Sequence, residues 1–226
     1  FLIEMRRRQK MGEDEGTFTR HQLRVAAIDL YATGLETTMT TLRFATVYLL
    51  NNPHVQEKLH AEIKEKIGMR DAVMEDQKRL PYTCAVQQEV QRLANFLPVN
   101  FMRQLAEDAD IDGYHIPAGT ALIPQFQSVH MDPSLYPRPH LFWPERHLNE
   151  RGEFVKDPRI TPFSVGKRSC LGEGLARMEV FLFLVAFTQH FRFVPEAVVP
   201  SKMEIVPGFL LRGPKPFKCR LIPRDA

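Results

Sequence analysis

The chain has 226 residues, 44% of them hydrophobic, and 30 Lys and Arg against 27 Asp and Glu leave a formal charge of +3. This composition provides enough apolar material for one large globular domain. The charge is small and scattered, and no DNA- or RNA-binding motif is present, which argues against a nucleic-acid partner. Cysteines occur at positions 84, 170 and 219. Their odd number and their spacing argue against a disulfide framework and against a structural zinc site.

The first part of the chain is predicted to be helical. It begins with Phe1, and the residues that follow resemble the end of a helix, so we expect a fragment whose N-terminal half is absent. Thr19 and Gln22 have the spacing of a capping box, which predicts one long helix over about residues 19–52. Pro53 ends it and opens a second helix, in which apolar residues recur every four positions from 55 to 67.

The rest of the chain mixes helices with short strands. A third helix is predicted over about 82–95, strand-like pieces over 99–124 and a proline-rich meander over 131–162. A loop at 163–172 leads into a last helix over about 171–190. The longest apolar run, 180–187, is far shorter than the roughly 18 residues that a membrane span requires. The expected fold class is mostly α with small β-sheets.

Residues 162–174, PFSVGKRSCLGEG, surround one cysteine with glycines and cations. A thiolate is a soft metal ligand, and a helix N-terminus and backbone N–H groups stabilise its charge, so Cys170 is a candidate ligand. Gly166 and Gly172 allow the backbone to approach a planar partner closely, and Arg168 suits a carboxylate. Phe163 is expected to shield the sulfur from water. A phosphate-binding loop is disfavoured because the GxxxxGK[ST] pattern is not met.

Three further motifs precede this loop. TGLETT lies at the centre of the long helix, QEVQR contains Glu89 and Arg92 at a helical i, i+3 spacing, and FWPERH contains Arg146. By itself, the Glu89–Arg92 spacing fits an exposed ion pair that contributes a few tenths of a kcal/mol.

Together, the four motifs resemble those of the cytochrome P-450 family of heme-thiolate monooxygenases. FSVGKRSCLG matches the family's cysteine-loop signature FxxGxRxCxG at every specified position, and the oxygen-activating, ExxR and meander motifs precede it in the family's order. Longer stretches such as GYHIPAGT resemble the microsomal animal branch, which oxidises drugs, fatty acids and steroids. The resemblance implies that residues 1–226 are a single truncated domain, the C-terminal part of the cytochrome P-450 fold.

The resemblance also implies roles for individual residues. Cys170 would bind the iron of heme b, iron protoporphyrin IX. Glu36 and Thr37, in a helix centre that we expect to be covered, would interrupt the helix locally and deliver protons to bound dioxygen. Glu89, Arg92 and Arg146 would form a buried structural triad. The expected cofactor-binding residues are Phe163, Gly166, Arg168, Gly172, Arg103 as a partner of a heme propionate, and Gly34.

Substrate contacts are expected at Thr33, Leu97, Asn100, Phe101, Phe209 and Leu210. For the last five of these, an ordinary core position is an equally good interpretation. Thr33 departs from the Ala or Gly that the family usually has there. Its side chain would either narrow the pocket above the heme or turn its hydroxyl to its own helix backbone.

The partners implied are a small apolar organic substrate, O2 and an NADPH-dependent flavoprotein reductase, with cytochrome b5 as a further candidate. Lys167 and Arg177 would help the reductase to dock, or would simply be solvated. The implied location is the cytoplasmic face of the endoplasmic reticulum membrane, reached through the missing N-terminal region, and the isolated fragment is expected to be inactive. Two alternatives remain: a heme-binding protein that does not oxygenate, and a helical interaction module without heme.

Overall fold

The computed structural model describes residues 1–13, 16, 18–199, 205–206 and 211–224, with only the backbone described at 205–206. The chain forms two compact units, Phe1–Met39 and Thr40–Ala226. Helices are the main secondary structure of the described residues and the strands form small antiparallel sheets, which agrees with the predicted fold class. Within this part of the chain, no helix combines the length and hydropathy needed to cross a membrane.

The first unit contains helix α1 (Leu2–Met11) and the beginning of the long helix α2 (Arg20–Asn51). The predicted capping box is confirmed: the Gln22 N–H donates to Thr19 Oγ1 at 3.2 Å, and the Thr19 N–H donates to Gln22 Oε1 at 2.9 Å. The two bonds satisfy backbone and side-chain groups at the start of the helix. α2 is continuous through residues 33–38, so the local interruption expected there is not present.

The remaining helices lie in the second unit. They are α3 (Pro53–Lys66), α4 (Pro81–Ala94), α5 (Phe126–His130) and α6 (Glu173–His190), with 3-10 helices at Met74–Arg79, Pro144–His147 and Gly166–Arg168. Proline stands at the first position of α3 and of α4, where a backbone N–H would have no acceptor within the helix. The last helix begins two residues later than predicted, because residues 171 and 172 still belong to the turn after the cysteine.

The strands pair in four antiparallel two-stranded sheets. They are β1 (Arg103–Gln104) with β4 (Ala121–Leu122), β2 (Ala109–Ile111) with β3 (Tyr114–Ile116), β5 (Phe191–Pro195) with β8 (Cys219–Pro223), and β6 (Ile205–Val206) with β7 (Gly213–Pro214). Asp112 and Gly113 connect β2 to β3 with φ angles of 48° and 83°. This is the type of two-residue turn that favours Asp-Gly, because both residues need a positive φ.

Helices α3, α4 and α6 pack around a common apolar core. Val55, Leu59 and Ile63 of α3 are fully buried, as their spacing predicts, and α6 contributes the buried Phe181 and Val185. α4 is buried over nearly its whole length although nearly half of its residues are polar. Since buried polar groups are costly without partners, the polar side chains of α4 require specific hydrogen bonds.

Candidate functional site

The residues of the predicted site are divided between the two units. Gly34, Glu36 and Thr37 belong to the first unit, whereas the ExxR motif, the meander and the cysteine loop, residues 163–172, belong to the second.

Glu89 of α4 is the centre of a buried charge cluster. Arg92, one turn later, donates from Nη2 to Glu89 Oε1 at 2.8 Å and from Nε to Oε2 at 2.9 Å. Arg146, in the 3-10 helix Pro144–His147, donates from Nε to Oε1 at 3.1 Å. The carboxylate and the Arg92 side chain are fully buried, and 7% of the Arg146 side chain is exposed. The three side chains expected to form a triad therefore do meet in the core.

His147 is a fourth member that the sequence did not predict. Its Nε2 lies 2.8 Å from Glu89 Oε2, and its side chain is buried. An ionised carboxylate only accepts hydrogen bonds, so this ring nitrogen carries the proton. Burial alone would raise the pKa of Glu89, but the hydrogen bonds from Arg92 and His147 outweigh it and hold the pKa below its ordinary value. The carboxyl group therefore stays ionised in the core.

The two arginines also fix the irregular backbone of the meander. Arg92 donates from Nη1 to the His130 carbonyl at 2.6 Å and from Nη2 to the Pro139 carbonyl at 2.9 Å. Arg146 donates from Nη1 to the Pro137 carbonyl at 3.0 Å. The His130 carbonyl lies at the C-terminal end of α5 and the two proline carbonyls lie in the loop that follows, and the planar guanidinium groups donate to all three. The cluster thus joins α4 to the loops around it.

The cysteine loop is held by its own backbone. The Cys170 N–H donates to the Phe163 carbonyl at 2.8 Å, and the Ser164 N–H donates to the Thr161 carbonyl at 3.0 Å. Gly166 has a φ of 75°, a conformation that suits glycine. Cys170 lies three residues before the start of α6, and the free cysteine is exposed. The loop therefore presents this residue to its outer surface.

Ser164 connects the cysteine loop to Asn100, just before β1, and to Arg103, the first residue of β1. Its Oγ accepts hydrogen bonds from Asn100 Nδ2 at 2.7 Å and from Arg103 Nη2 at 3.2 Å. Asn100 is buried, with 8% of its surface exposed, so its amide is used within the protein fold. Asn100 was expected to contact substrate, and in the structure its side-chain amide donates to Ser164 Oγ. Arg103 is half-buried beside the loop.

Arg177 is half-buried, and its guanidinium group contacts three other side chains. Its guanidinium lies 4.8 Å from the centre of the Phe163 ring, its Nε donates to Glu173 Oε1 at 2.8 Å, and its Nη1 donates to Gln91 Oε1 at 3.1 Å. The half-buried Phe163 packs beneath this cation. Arg177 therefore links the cysteine loop, α6 and α4, and of the two predicted docking residues only Lys167 is exposed.

The loop around Cys170 is open and exposes two large apolar side chains beside the charged Lys167 and Arg168. A Cβ atom added to Gly166 or Gly172 would meet no heavy atom within 4 Å. Val165 and Leu171 are 65% and 90% exposed. A single exposed apolar side chain is common on a protein surface, but here two of them lie in the same loop as the exposed Cys170. This part of the loop is therefore suited to a flat apolar group.

In the first unit, the residues expected to move protons lie on a regular helix. Glu36 is exposed and Thr37 is half-buried. Thr37 Oγ1 donates to the Thr33 carbonyl at 2.6 Å, and Thr33 Oγ1 donates to the Asp29 carbonyl at 2.6 Å. Thr33 thus turns its hydroxyl to its own helix, which is one of the two arrangements expected for it. Gly34 is also exposed.

The remaining predicted residues are less constrained. Leu97 is half-buried after the end of α4, Phe101 is 63% exposed, and Arg168 is exposed. Phe209 and Leu210 lie outside the described residues.

A family model for cytochrome P-450 matches residues 1–221. The chain belongs to the cytochrome P-450 family. It is 49% identical over 222 residues to a probable cytochrome P-450 CYP36A1 of Caenorhabditis elegans, which covers 97% of this chain and 45% of that protein. It is 40% identical over 225 residues to cytochrome P-450 2D14 of Bos taurus and 39% identical over 226 residues to cytochrome P-450 2D6 of Homo sapiens. In each of these two cases 99% of this chain and 45% of the relative are covered, so the chain spans less than half the length of these relatives.

The cytochrome P-450 family implies a heme cofactor, and the residues of the cysteine loop fit one. The exposed Cys170 offers a soft ligand for iron, and the open glycines and exposed apolar side chains suit a flat macrocycle. Arg103 and Arg168 supply positive charge suited to the carboxylate groups of heme. Heme would therefore be held on the outer face of this loop.

Proposed function

We propose that the protein containing this chain is a heme-thiolate monooxygenase, which inserts one oxygen atom of O2 into a small apolar organic substrate. The observation that carries this proposal is the exposed Cys170 in a loop fixed by the Phe163 carbonyl at the start of α6. The apolar side chains around it favour a macrocycle over a hydrated metal ion. We further propose that the cofactor is heme b.

Some residues of the chain would bind the cofactor, and others would deliver protons. Cys170 would bind the iron as a thiolate, and Arg103 and Arg168 would pair with the two carboxylates of the macrocycle. When bound, heme supplies the redox centre at which dioxygen is reduced and one of its atoms is transferred to substrate. Phe163, Gly166 and Gly172 would shape the loop against it. Glu89, Arg92 and Arg146 would keep the supporting core in place.

Glu36 and Thr37 would deliver the protons that oxygen reduction consumes, with Gly34 leaving room for the cofactor. A carboxylate and a hydroxyl on the same helical turn can pass a proton between water and a buried site. For Thr37 this requires a change of partner, because its hydroxyl donates to the Thr33 carbonyl. Thr33, whose hydroxyl donates to the Asp29 carbonyl of its own helix, is also among the substrate contacts that we propose. Leu97, Phe101, Phe209 and Leu210 are the other substrate contacts that we propose.

Electrons would come from an NADPH-dependent flavoprotein reductase, with cytochrome b5 as a further donor. Lys167, exposed in the cysteine loop, is the residue that we propose for docking, since the Arg177 charge is engaged with Glu173 and Phe163. The resemblance to the microsomal branch supports a location at the cytoplasmic face of the endoplasmic reticulum membrane. We also propose that the 226 residues alone are inactive, because the exposed apolar surface around Cys170 leaves the reaction centre open to water.

The decisive experiment is the spectrum of the reduced, carbon monoxide-bound protein. A thiolate-ligated heme gives a strongly red-shifted Soret band, and we expect this band in the protein and its loss in a Cys170→Ser variant. Cys84→Ala is the matched control, because Cys84 belongs to α4 and is buried in the hydrophobic core. A band that survives in Cys170→Ser would refute the proposed ligand.

The two alternatives give different results in the same series of measurements. A heme protein that does not oxygenate would show the thiolate band without substrate-dependent NADPH consumption in the presence of the reductase. A helical interaction module would bind no heme. Product formation coupled to NADPH consumption supports the monooxygenase.

A further inference from the structure

Ser164 has a backbone conformation that is uncommon for its residue type. Its φ is 65°, in the left-handed region, where a residue with a side chain is disfavoured relative to glycine. A non-glycine residue remains in this region when its surroundings hold it there. Three hydrogen bonds do so at Ser164: its N–H donates to the Thr161 carbonyl, and its Oγ accepts from Asn100 and Arg103.

The conformation of Ser164 determines the position of the acceptor that holds Cys170. The Cys170 N–H donates to the Phe163 carbonyl, and this carbonyl belongs to the peptide bond between Phe163 and Ser164. A peptide group is planar, so a rotation at Ser164 that turned this peptide would move the carbonyl oxygen and break the bond. Ser164 therefore acts on Cys170 through one peptide unit.

Asn100 is the more rigid of the two donors to the Ser164 hydroxyl. Its backbone N–H donates to the Pro124 carbonyl at 2.8 Å, and its Oδ1 accepts from the Phe101 N–H at 2.8 Å. With its remaining Nδ2 group 2.7 Å from Ser164 Oγ, the residue is buried and held at three points. Arg103 has a longer side chain, and its hydrogen bond to Ser164 Oγ, at 3.2 Å, is the weaker of the two.

We propose that Asn100 is a positioning residue for the iron ligand: through the Ser164 hydroxyl it holds the Phe163–Ser164 peptide, and thereby the Cys170 backbone, in the conformation that binds heme. This inference rests on the proposed function, because it gives the bond between Asn100 and Ser164 a role in ligation. Asn100 acts through another residue and has no part in the reaction itself. Replacing the Asn100 side chain should let the loop open more often, and it removes no group that we propose to contact the cofactor.

Amide hydrogen exchange of the loop in the heme-free protein tests the proposal independently of cofactor binding. Exchange at the Cys170 N–H reports how often its bond to the Phe163 carbonyl opens. Removing one neutral hydrogen bond from the closed loop shifts this equilibrium roughly fivefold, so we expect Asn100→Ala to accelerate exchange by about that factor. Ser169→Ala, which alters an exposed serine of the same loop, is the control and should exchange as the unaltered protein does.

Ser164→Gly separates the hydrogen bonds from the backbone strain. Glycine adopts a φ of 65° without penalty but has no hydroxyl to accept the two bonds. If the hydroxyl positions the loop, exchange at Cys170 accelerates in this variant, and adding Asn100→Ala to it produces no further acceleration. Exchange equal to or slower than that of the unaltered protein would overturn the proposal, as would additive effects in the double variant. Unchanged far-ultraviolet circular dichroism establishes that each variant is folded.

The heme-loaded protein then links the loop to ligation. For Asn100→Ala and Ser164→Gly we expect the share of bound heme with the thiolate band to fall, while Ser169→Ala retains it. Absence of the band in the unaltered protein would refute the proposed function and leave the exchange result standing. A band of unchanged size in both variants, with the exchange accelerated, would refute the positioning role in ligation.

Discussion

Arg92 and Glu89 form a two-bond ion pair in which neither side chain is exposed to solvent. The i, i+3 spacing is typical of an exposed salt bridge that contributes little to stability. This pair is instead buried in the core. Arg146, His147 and the Trp143 N–H also point at the same carboxylate. A fully buried carboxylate is stable in the core only while these donors are present.

Replacing either partner should therefore strongly destabilise the second unit. We expect Arg92→Ala or Glu89→Ala to reduce the free energy of unfolding by about 3 to 5 kcal/mol, because the remaining charge stays buried without its partner. The chain offers a matched control in Glu4 and Arg7, which have the same spacing but are 36% and 46% exposed. Arg7→Ala should cost far less, because an exposed ion pair contributes little to stability. Chemical denaturation measures both, and similar costs for Arg92→Ala and Arg7→Ala would contradict a buried structural role.

His147 should contribute less than Arg92. His147→Phe keeps a flat ring in the core and removes the N–H that donates to Glu89 Oε2, while both arginines remain. The expected loss is about 1 to 3 kcal/mol, the cost of leaving one buried hydrogen bond unmade. Denaturation of the variant beside His140→Phe, at an exposed histidine, measures it. Unchanged stability in His147→Phe would show that the arginines alone satisfy the carboxylate.

The sequence predicted parts of this cluster and could not predict others. Glu89 and Arg92 are a helical turn apart, so their contact follows from spacing alone, but their burial does not. Arg146 is 57 residues from Glu89 along the chain, and only the family resemblance brought it into the triad. His147 had no signal beyond its place next to Arg146. Side-chain contacts over such separations depend on tertiary packing, which local patterns do not encode.

In the cysteine loop, too, some residues could be predicted from the sequence and others could not. Cys170 and its glycines were predicted because their types and spacing are chemically specific, whereas Ser164 is a residue that many loops contain. Its importance arises from a positive φ and from Asn100, 64 residues away. Similarly, Arg177 was expected on the surface because cations usually are, and its stacking on Phe163 required the folded loop.

His130 should make stability depend on pH. It is fully buried, and burial, followed by the nearby Arg92 charge, lowers its pKa from 6.5 to about 4, while Asp157 opposes the shift. Its Nε2 accepts a hydrogen bond from the Thr161 N–H at 3.1 Å, which a proton on that nitrogen would abolish. The folded protein therefore favours neutral histidine.

The direction of the effect follows from proton binding. Between pH 6.5 and about 4 the unfolded chain binds a proton at His130 that the folded chain does not, so stability is lost as the pH falls through this range. The loss is on the order of 3 kcal/mol. We expect His130→Gln to lose less stability than the unaltered protein between pH 7 and pH 5, and His140→Gln, at an exposed position, to follow the unaltered protein. Equal slopes for all three proteins in urea denaturation would contradict the prediction.

The three cysteines should differ in their reactivity in the native, heme-free protein. Thiol reagents attack the thiolate, so both exposure and pKa control the rate. Burial raises the pKa of Cys84 to about 12 and also raises the pKa of the half-buried Cys219, whereas Cys170 is exposed.

We therefore expect a brief pulse of iodoacetamide at pH 8 to label Cys170 first and Cys84 only after unfolding. Peptide mass spectrometry at increasing urea concentrations measures the labelling of each site. The labelling of Cys84 should follow the global unfolding transition, because α4 lies in the core. Heme bound through Cys170 should then protect this thiol and leave the labelling of Cys219 unchanged. Native labelling of Cys84 at the rate of Cys170 would mean that α4 opens without global unfolding, and it would contradict the buried environment described for the Glu89 cluster.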